Sequence, residues 1–357
     1  MNQQLIERTY SETKLAVNSI QKKRKSTQIF QKLMWTLTGL YFIFMMLILF
    51  VHYFPELQSK FATFFNLFKA STENPYANIY PIVGLFVLLY PTTYIFAKRF
   101  ADFKTKESAA VSKMVKLLFP KVEFSLNTPV PNKEIVKSKL FTWVNKGAPI
   151  YSYGQIRSSI DDKSINIADV GIVEDNISSK FMQVWMRIPG LNMFAILYQY
   201  VLKNIISKKS ADNVYYTFRG MFCWLKFDKK LQGHTVLLSN NQGNKLDRYI
   251  NTNFKAEQKV NLEDHRFNDE FIVYSTDQVE ARYVLSLDLM ERIVALKNKF
   301  KKPIMLSFQN QQMYLAISNE SGLFSFPAGK LDTIEVVEEL AHNIETALKI
   351  TTELKLK

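Results

Sequence analysis

The chain has 357 residues, a formal net charge of +14 and 47% hydrophobic residues. It is longer than one typical domain, and its composition is that of a globular protein with additional apolar sequence. A single cysteine, Cys223, excludes an internal disulfide and a metal site built from several thiolates. Because the four histidines also lack paired spacing, the sequence predicts no metal and no cofactor.

The N-terminal segment is polar and contains neither Pro nor Gly in its first thirty residues, which predicts a helix. Its basic cluster, KKRK at Lys22–Lys25, is the densest in the chain. No nucleic-acid-binding motif accompanies the cluster, which lies just before an apolar run. We therefore expect it to face anionic lipid and expect no nucleic-acid partner.

Two uncharged runs follow, Leu33–Pro55 and Asn74–Ala97, in which no Lys, Arg, Asp or Glu occurs. Each is long enough for a transmembrane helix, which takes about 20 residues. Basic residues outnumber acidic ones before the first run and after the second, whereas the connecting loop is neutral. By the positive-inside rule the sequence predicts a two-helix transmembrane hairpin with both termini in the cytoplasm.

The rest of the chain predicts a cytoplasmic α+β domain with antiparallel sheet and flanking helices. One helix is predicted to end at Phe119, before Pro120, and a second to run from Glu134 to a stop at Gly147. The predicted organisation is a cytoplasmic N-terminal helix at 1–32, the transmembrane hairpin at 33–98, a juxtamembrane helical region at 99–147 and the α+β domain at 148–357.

Alternating apolar residues predict two β-hairpins in this domain. One runs from Met221 to Leu238 around DKKLQG, and the other from Ile304 to Ile317 with its turn at Gln309–Gln312. The last helix carries a narrow apolar stripe that suits either the domain core, which we favour, or a partner helix. The stripe consists of Ile334, Val337, Ala341, Ile344 and Leu348.

The segment 181–206 is apolar but is broken by Pro189 and Gly190. Its unbroken part, about 12 residues long, is too short to span a membrane and suits a buried or interfacial helix. Burial in the domain core and contact with a membrane or another subunit are equally compatible with this pattern. The candidate residues for partner or membrane contact are Trp185, Phe194, Leu197 and Lys203.

No Gly-rich phosphate loop and no nucleophile elbow occurs, so neither phosphate chemistry nor acyl transfer has a sequence signal. In FIVYSTDQVEARYV, Asp277, Glu280 and Arg282 suggest either an acid, a base and a substrate clamp, or the start of a helix. We favour the second interpretation, because an Asp with a Glu three residues later is typical of a helix N-terminus.

The segment VYSTDQVEARYVLSLDLMERIVAL, the hairpin IMLSFQNQQMYLAI, the preceding FRGMFCWLKF and the two apolar runs carry a family resemblance. Over Leu33–Ile317 the chain resembles an uncharacterised bacterial two-span membrane-protein family defined by a domain of unknown function. Asp277, Glu280, Ala281 and Arg282 are the most specific part of this resemblance. It implies a protein of the bacterial inner (plasma) membrane and no known reaction, so no catalytic residue is carried over.

These features predict a membrane-anchored cytoplasmic binding or scaffold module without an evident catalytic site, and they favour a non-enzyme. The expected partners are the lipid bilayer and either a second copy of the chain, in a homo-oligomer, or another membrane-associated protein. One alternative is a membrane-bound enzyme whose site is assembled from loops. A channel or transport component is disfavoured, because neither apolar run carries an Asp, Glu, Lys or Arg.

Overall fold

The protein is described by a computed structural model in two compact units. The residues that it describes are 3–53, 80–126, 128–141, 150–160, 163–172, 184, 218–226, 230–240, 258–300, 302–319, 322–324, 326, 331 and 333–353. The first unit, here the sheet unit, comprises Met1–Asn18, Glu107–Lys180 and Lys209–Lys357, and the second, here the helical unit, comprises Ser19–Lys106 and Phe181–Lys208.

In the described part of the chain, two long N-terminal helices are followed by strands with shorter helices among them. The helices are α1 (Gln3–Tyr53), α2 (Tyr80–Leu118), α3 (Asn132–Ser138), α4 (His265–Glu270), α5 (Gln278–Val284), α6 (Leu287–Phe300) and α7 (Glu335–Glu353). The strands are β1 (Glu123–Ser125), β2 (Ile150–Ile160), β3 (Lys163–Ile172), β4 (Phe218–Lys226), β5 (His234–Ser239), β6 (Lys259–Val260), β7 (Phe271–Ser275), β8 (Ile304–Gln309) and β9 (Gln312–Ser318).

The strands form one nine-stranded sheet in the order β1-β2-β3-β4-β9-β8-β5-β7-β6. Every pairing in it is antiparallel. The central strands β4 and β5 are buried almost continuously rather than at alternate residues, so both faces of the sheet are covered. The edge strands β1 and β6 have only 3 and 2 residues, which limits pairing with another sheet.

Each face of the sheet has its own cover. On one face, Phe141, which follows α3, packs on Phe218 with ring centroids 4.7 Å apart. On the other face, Met221 and Ile317 lie beside Ala347 of α7. In α7 the buried residues are Val336, Val337, Leu340, Ala341, Ile344 and Ala347. The prediction that the last helix faces the core is therefore confirmed, and the buried side of α7 is wider than the sequence pattern indicated.

The β8–β9 hairpin is confirmed, since Ile304 pairs with Ile317 and Gln309 with Gln312. The hairpin from Met221 to Leu238 is wrong: β4 pairs with β3 and β9, and β5 pairs with β7 and β8. Both are interior strands, and alternation shows that a segment is a strand without showing which strand pairs with it.

The helix that was expected to run to Gly147 ends earlier. Helix α3 stops at Ser138, and Lys139 after it adopts a left-handed conformation with φ 52°. The expected boundary was therefore placed too late in the chain. Residues 142–149, which include Gly147, lie outside the described residues.

In the helical unit, α1 packs against α2 in antiparallel fashion. Met34 and Phe96 are buried together, with Phe30 and Phe100 packed around them. Near the polar end of this contact, Lys23 forms an ion pair with Asp102. The Arg99 guanidinium lies 4.8 Å from the Phe30 ring centroid and donates to Ser26 at 3.2 Å. Apolar and polar contacts therefore join the two helices along this stretch.

The predicted two-helix transmembrane hairpin is wrong. In the part of the chain that the structure describes, no helix combines the length and the apolar character that a membrane crossing requires. The described part of the first apolar run, 33–53, belongs to α1, of 51 residues, and that of the second, 80–97, to α2, of 39 residues, and both helices also contain charged sequence. Part of the apolar character of the runs serves the contact of α1 with α2, as the buried Met34 and Phe96 show.

Strand β4 contains a glycine whose replacement tests the sheet. Gly220 has φ +156°, and an added Cβ would lie 2.2 Å from the Ile317 carbonyl oxygen and 2.6 Å from the Asn319 nitrogen. Because backbone atoms cannot yield as a side chain does, we expect Gly220→Ala to lower the free energy of unfolding by about 3 kcal/mol in urea titrations followed by circular dichroism.

The matched control is Gly39→Ala in α1, where an added Cβ meets nothing within 4 Å. It should leave stability unchanged or raise it by about 0.5–1 kcal/mol, because alanine favours a helix over glycine. Equal effects of the two substitutions would contradict the packing described for Gly220.

Candidate functional site

Asp277 is the N-cap of α5, directly after strand β7. Its side chain accepts hydrogen bonds from the backbone nitrogens of Val279 at 2.9 Å and Glu280 at 3.0 Å. The Ser275 hydroxyl donates to the Asp277 carbonyl at 2.7 Å and accepts from its nitrogen at 3.1 Å. These bonds satisfy the first amide groups of the helix and fix the turn between β7 and α5.

Glu280 bonds across the fold rather than back to the N-cap. Its carboxylate accepts from the backbone nitrogens of Gln232 at 2.8 Å and Gly233 at 2.6 Å, just before strand β5. Glycine at 233 leaves room for this close approach, because an added Cβ would lie 2.8 Å from Glu280 Oε2 and 2.9 Å from Thr276 Oγ1. Glu280 thereby ties α5 to the start of β5.

Arg282 is exposed and completes the set of three residues singled out by sequence. Its guanidinium donates to the carbonyls of Gln278 at 3.1 Å and Asn261 at 3.4 Å. The side chains of Asp277, Glu280 and Arg282 therefore all form their hydrogen bonds with main-chain atoms. Such an arrangement holds a short helix in place, and it does not direct an acid and a base at a common point.

The outer side of α5 is apolar and exposed. Val279 is 78% exposed, Tyr283 61% and Leu287, at the start of α6, 60%. Val279 and Tyr283 are four residues apart in one helix and so share a face. The hydrogen bonds of Asp277, Glu280 and Arg282 therefore position α5 so that Val279 and Tyr283 are exposed.

A buried histidine lies near this motif. His234 Nε2 is 3.1 Å from the Ser307 hydroxyl, and the backbone nitrogen of His234 donates to Thr276 Oγ1 at 2.8 Å. Burial and, to a smaller extent, the positive charge of Lys139 lower the pKa of His234 to about 4. A His–Ser pair is also an acyl-transfer arrangement, but His234 is 5% exposed and Ser307 0%, so a substrate has no access.

A buried ion pair, which the sequence reasoning missed, fixes the loop after β9. Arg219 binds both carboxylate oxygens of Asp169, and Asp169 Oδ2 also accepts from the nitrogens of Leu323 at 2.9 Å and Phe324 at 3.4 Å. Burial raises the pKa of the Asp169 carboxyl above its ordinary value, and the adjacent Arg219 charge only partly opposes this shift. A lone acid in the apolar strand sequence INIADVGI was the available signal for a buried charge pair.

Beside this loop lies a pocket of about 70 Å³, whose lining includes Met221, Leu323 and Ala347 with Lys302. It is small compared with pockets for drug-sized ligands, which have volumes of about 300–1,000 Å³. Within the described ranges, no group of three or more His, Cys, Asp and Glu side chains is placed to hold a metal ion.

Helix α1 exposes a line of large apolar side chains, here called the apolar stripe. It consists of Ile29, Leu33, Leu37, Leu40 and Ile43, which are 68%, 55%, 41%, 60% and 57% exposed. At about 100° per residue, these five positions share an arc of about 120° on the helix. Met34, which α1 buries against Phe96, lies outside this arc. The stripe is therefore apolar surface that the contact with α2 leaves uncovered.

The contact residues expected from sequence in the segment 181–206 are Trp185, Phe194, Leu197 and Lys203. All four lie outside the described residues. Their assignment to the core, to a membrane or to a partner stays a prediction. The apolar stripe was not identified from sequence, because four of its five residues, Leu33, Leu37, Leu40 and Ile43, were interpreted as part of a membrane-spanning helix.

Residues 216–356 match the model of a family described as a protein of unknown function (DUF3137). This range contains Asp277, Glu280 and Arg282, so the expected domain of unknown function is confirmed. The match begins after residue 98, and it therefore does not test the expectation that the family is a two-span membrane-protein family.

No curated protein matches the chain significantly. Among solved structures, the crystal structure of the mycobacterial trehalose monomycolate transport factor A matches at 7% sequence identity and a TM-score of 0.33. The match covers 70% of this chain and 97% of the other. A TM-score this low does not establish a shared fold and carries no argument about function.

The bond between α5 and β5 can be tested by removing the Glu280 carboxylate. We expect Glu280→Ala to lower the free energy of unfolding by about 1–2 kcal/mol, because it removes two hydrogen bonds from backbone N–H groups to a charged acceptor. Urea titration measures the effect. Glu291→Ala removes an exposed glutamate from α6 and should change stability by less than about 0.5 kcal/mol. An equally small effect at position 280 would contradict the described role.

The buried His234 predicts a pH dependence of stability. Its pKa of about 4 in the folded protein lies below the ordinary value of 6.5, so the unfolded chain binds more protons between these two pH values. Stability should therefore fall as pH falls through this window, by about 2 kcal/mol from this residue between pH 8 and pH 5.

Urea titrations at both pH values measure the difference. His234→Gln should remove this share of the pH dependence, whereas His342→Gln, at an exposed position of α7, should leave it in place. An unchanged pH dependence in His234→Gln would show that the histidine is not held neutral by burial.

Proposed function

We propose that this protein is a scaffold that lies against a lipid surface through the apolar stripe of α1. The observation that carries this proposal is the line of five large apolar side chains left uncovered on one side of a long helix. Isolated exposed apolar residues are ordinary, but a contiguous line of them marks an interaction surface. A helix with such a line on one side suits the boundary between water and lipid, with its axis parallel to the surface.

Charge favours lipid over a protein partner of mixed charge. In the described part of the helical unit between residues 19 and 106, nine Lys and Arg side chains stand against one acidic side chain, Asp102. Basic side chains beside an apolar helix face are attracted to the negatively charged surface of a membrane. On this proposal the protein works at the inner face of a bacterial plasma membrane.

The proposed role is binding rather than catalysis. A catalytic role for Asp277, Glu280 and Arg282 was the less favoured interpretation of the sequence. Their side chains hold α5 through hydrogen bonds to main-chain atoms. The sheet unit then acts as a rigid body that presents surfaces such as Val279 and Tyr283 of α5. A scaffold needs such a body together with a means of staying at its site of action, which α1 supplies in this proposal.

The test is co-sedimentation of the purified full chain with phospholipid vesicles, comparing the wild type with the double variant Leu33→Glu, Leu40→Glu. We expect the wild type to sediment with vesicles and the double variant to lose at least tenfold in affinity, because burying a leucine side chain is worth about 1.5–3 kcal/mol. Circular dichroism establishes that the variant keeps its helices.

Leu287→Glu is the matched control, because Leu287 is 60% exposed but belongs to α6 in the sheet unit and not to the stripe. It should bind vesicles as the wild type does. Two results would overturn the proposal. One is a wild type that stays in the supernatant, and the other is a double variant that only dissociates an oligomer, which would make the stripe a contact between copies of the chain.

A further inference from the structure

Three lysines of α1 lie on the side of the helix that carries the apolar stripe. Lys22, Lys25 and Lys32 are all exposed. At about 100° per residue, Lys22 and Lys25 fall inside the arc of the stripe and Lys32 lies about 20° beyond its edge. Lys25 and Lys22 precede Ile29 by about 6 Å and 10 Å along the helix axis. The apolar and basic side chains thus form one continuous surface.

Neighbouring basic residues of the helical unit are engaged within the protein. Lys23 pairs with Asp102, and Arg99 binds Ser26 and the Phe30 ring. By contrast, none of the described residues forms an ion pair with Lys22, Lys25 or Lys32. The charges of Lys22, Lys25 and Lys32 are therefore available for contact with a partner.

We infer that the lipid surface bound by α1 is anionic, and that Lys22, Lys25 and Lys32 bind the phosphate groups of its head groups. This inference rests on the proposed function, because the stripe must first place α1 at the surface. A lysine suits the position, since its alkyl stem covers apolar surface while its ammonium group reaches the head groups. Each such lysine contributes about fivefold in affinity for an anionic membrane.

The experiment measures binding of the purified full chain to two kinds of vesicle, phosphatidylcholine alone and phosphatidylcholine with an equal part of phosphatidylglycerol. The test variant is Lys22→Gln, Lys25→Gln, Lys32→Gln. The control variant is Lys121→Gln, Lys133→Gln, Lys226→Gln, which removes three exposed lysines from the sheet unit. The two variants have the same net charge, so they separate local binding from general attraction.

We expect the wild type to bind the phosphatidylglycerol vesicles more tightly than the neutral ones. The test variant should lose about a hundredfold in affinity for the anionic vesicles, the product of three lysines, and keep its affinity for the neutral vesicles. The control variant should match the wild type on both. Because ions screen exposed charges, added salt should weaken only the binding to anionic vesicles.

The possible failures are distinguishable. Equal binding of the wild type to both vesicles, or equal losses in the two triple variants, would overturn the inference and leave the stripe proposal standing. If the wild type binds neither vesicle, the proposed function falls together with the inference. Circular dichroism of both triple variants excludes loss of helix as the cause of weaker binding.

Discussion

Cover on both faces of the nine-stranded sheet is the constraint on which the sheet unit depends. Eight of the nine residues of β4 are buried, with Phe218 facing the segment around α3 and Met221 facing α7. The cover therefore comes from two segments that are far apart in the chain, Phe141 after α3 and α7. Since neither segment alone can cover two faces, the unit is stable only when distant parts of the chain have assembled on the sheet.

Polar contacts between distant segments of the chain are important for the same reason. The Asp169–Arg219 pair and the bonds of Glu280 both join segments that are distant in sequence, and both use main-chain groups as partners. A backbone N–H deprived of its acceptor inside a protein costs more than a surface ion pair gains. These contacts therefore determine where the loop after β9 and the helix α5 lie, while Val279 and Tyr283 remain exposed.

The sequence pattern predicted those features of the fold that depend on residues close together in the chain. The β8–β9 hairpin, the core-facing side of α7 and a helix beginning near Asp277 follow from residues close together in sequence. The pairing of β4 with β9 did not follow, because strand alternation contains no information about which distant strand lies alongside. For the same reason, the sequence indicated a capping role for Glu280 but not its bond to Gln232 and Gly233. Only the fold brings those groups together.

Helix α1 shows why an apolar run is ambiguous on its own. Apolar side chains on all sides of a helix favour a membrane crossing, but Met34 of α1 is buried against Phe96 of α2, and the stripe from Ile29 to Ile43 lies on a different side. One helix therefore has two apolar surfaces with different surroundings. The contact with α2 accounts for the first. The second must be covered by something outside the described residues or remain in water, and the lysines that share its side of the helix distinguish an anionic lipid surface from a purely apolar partner.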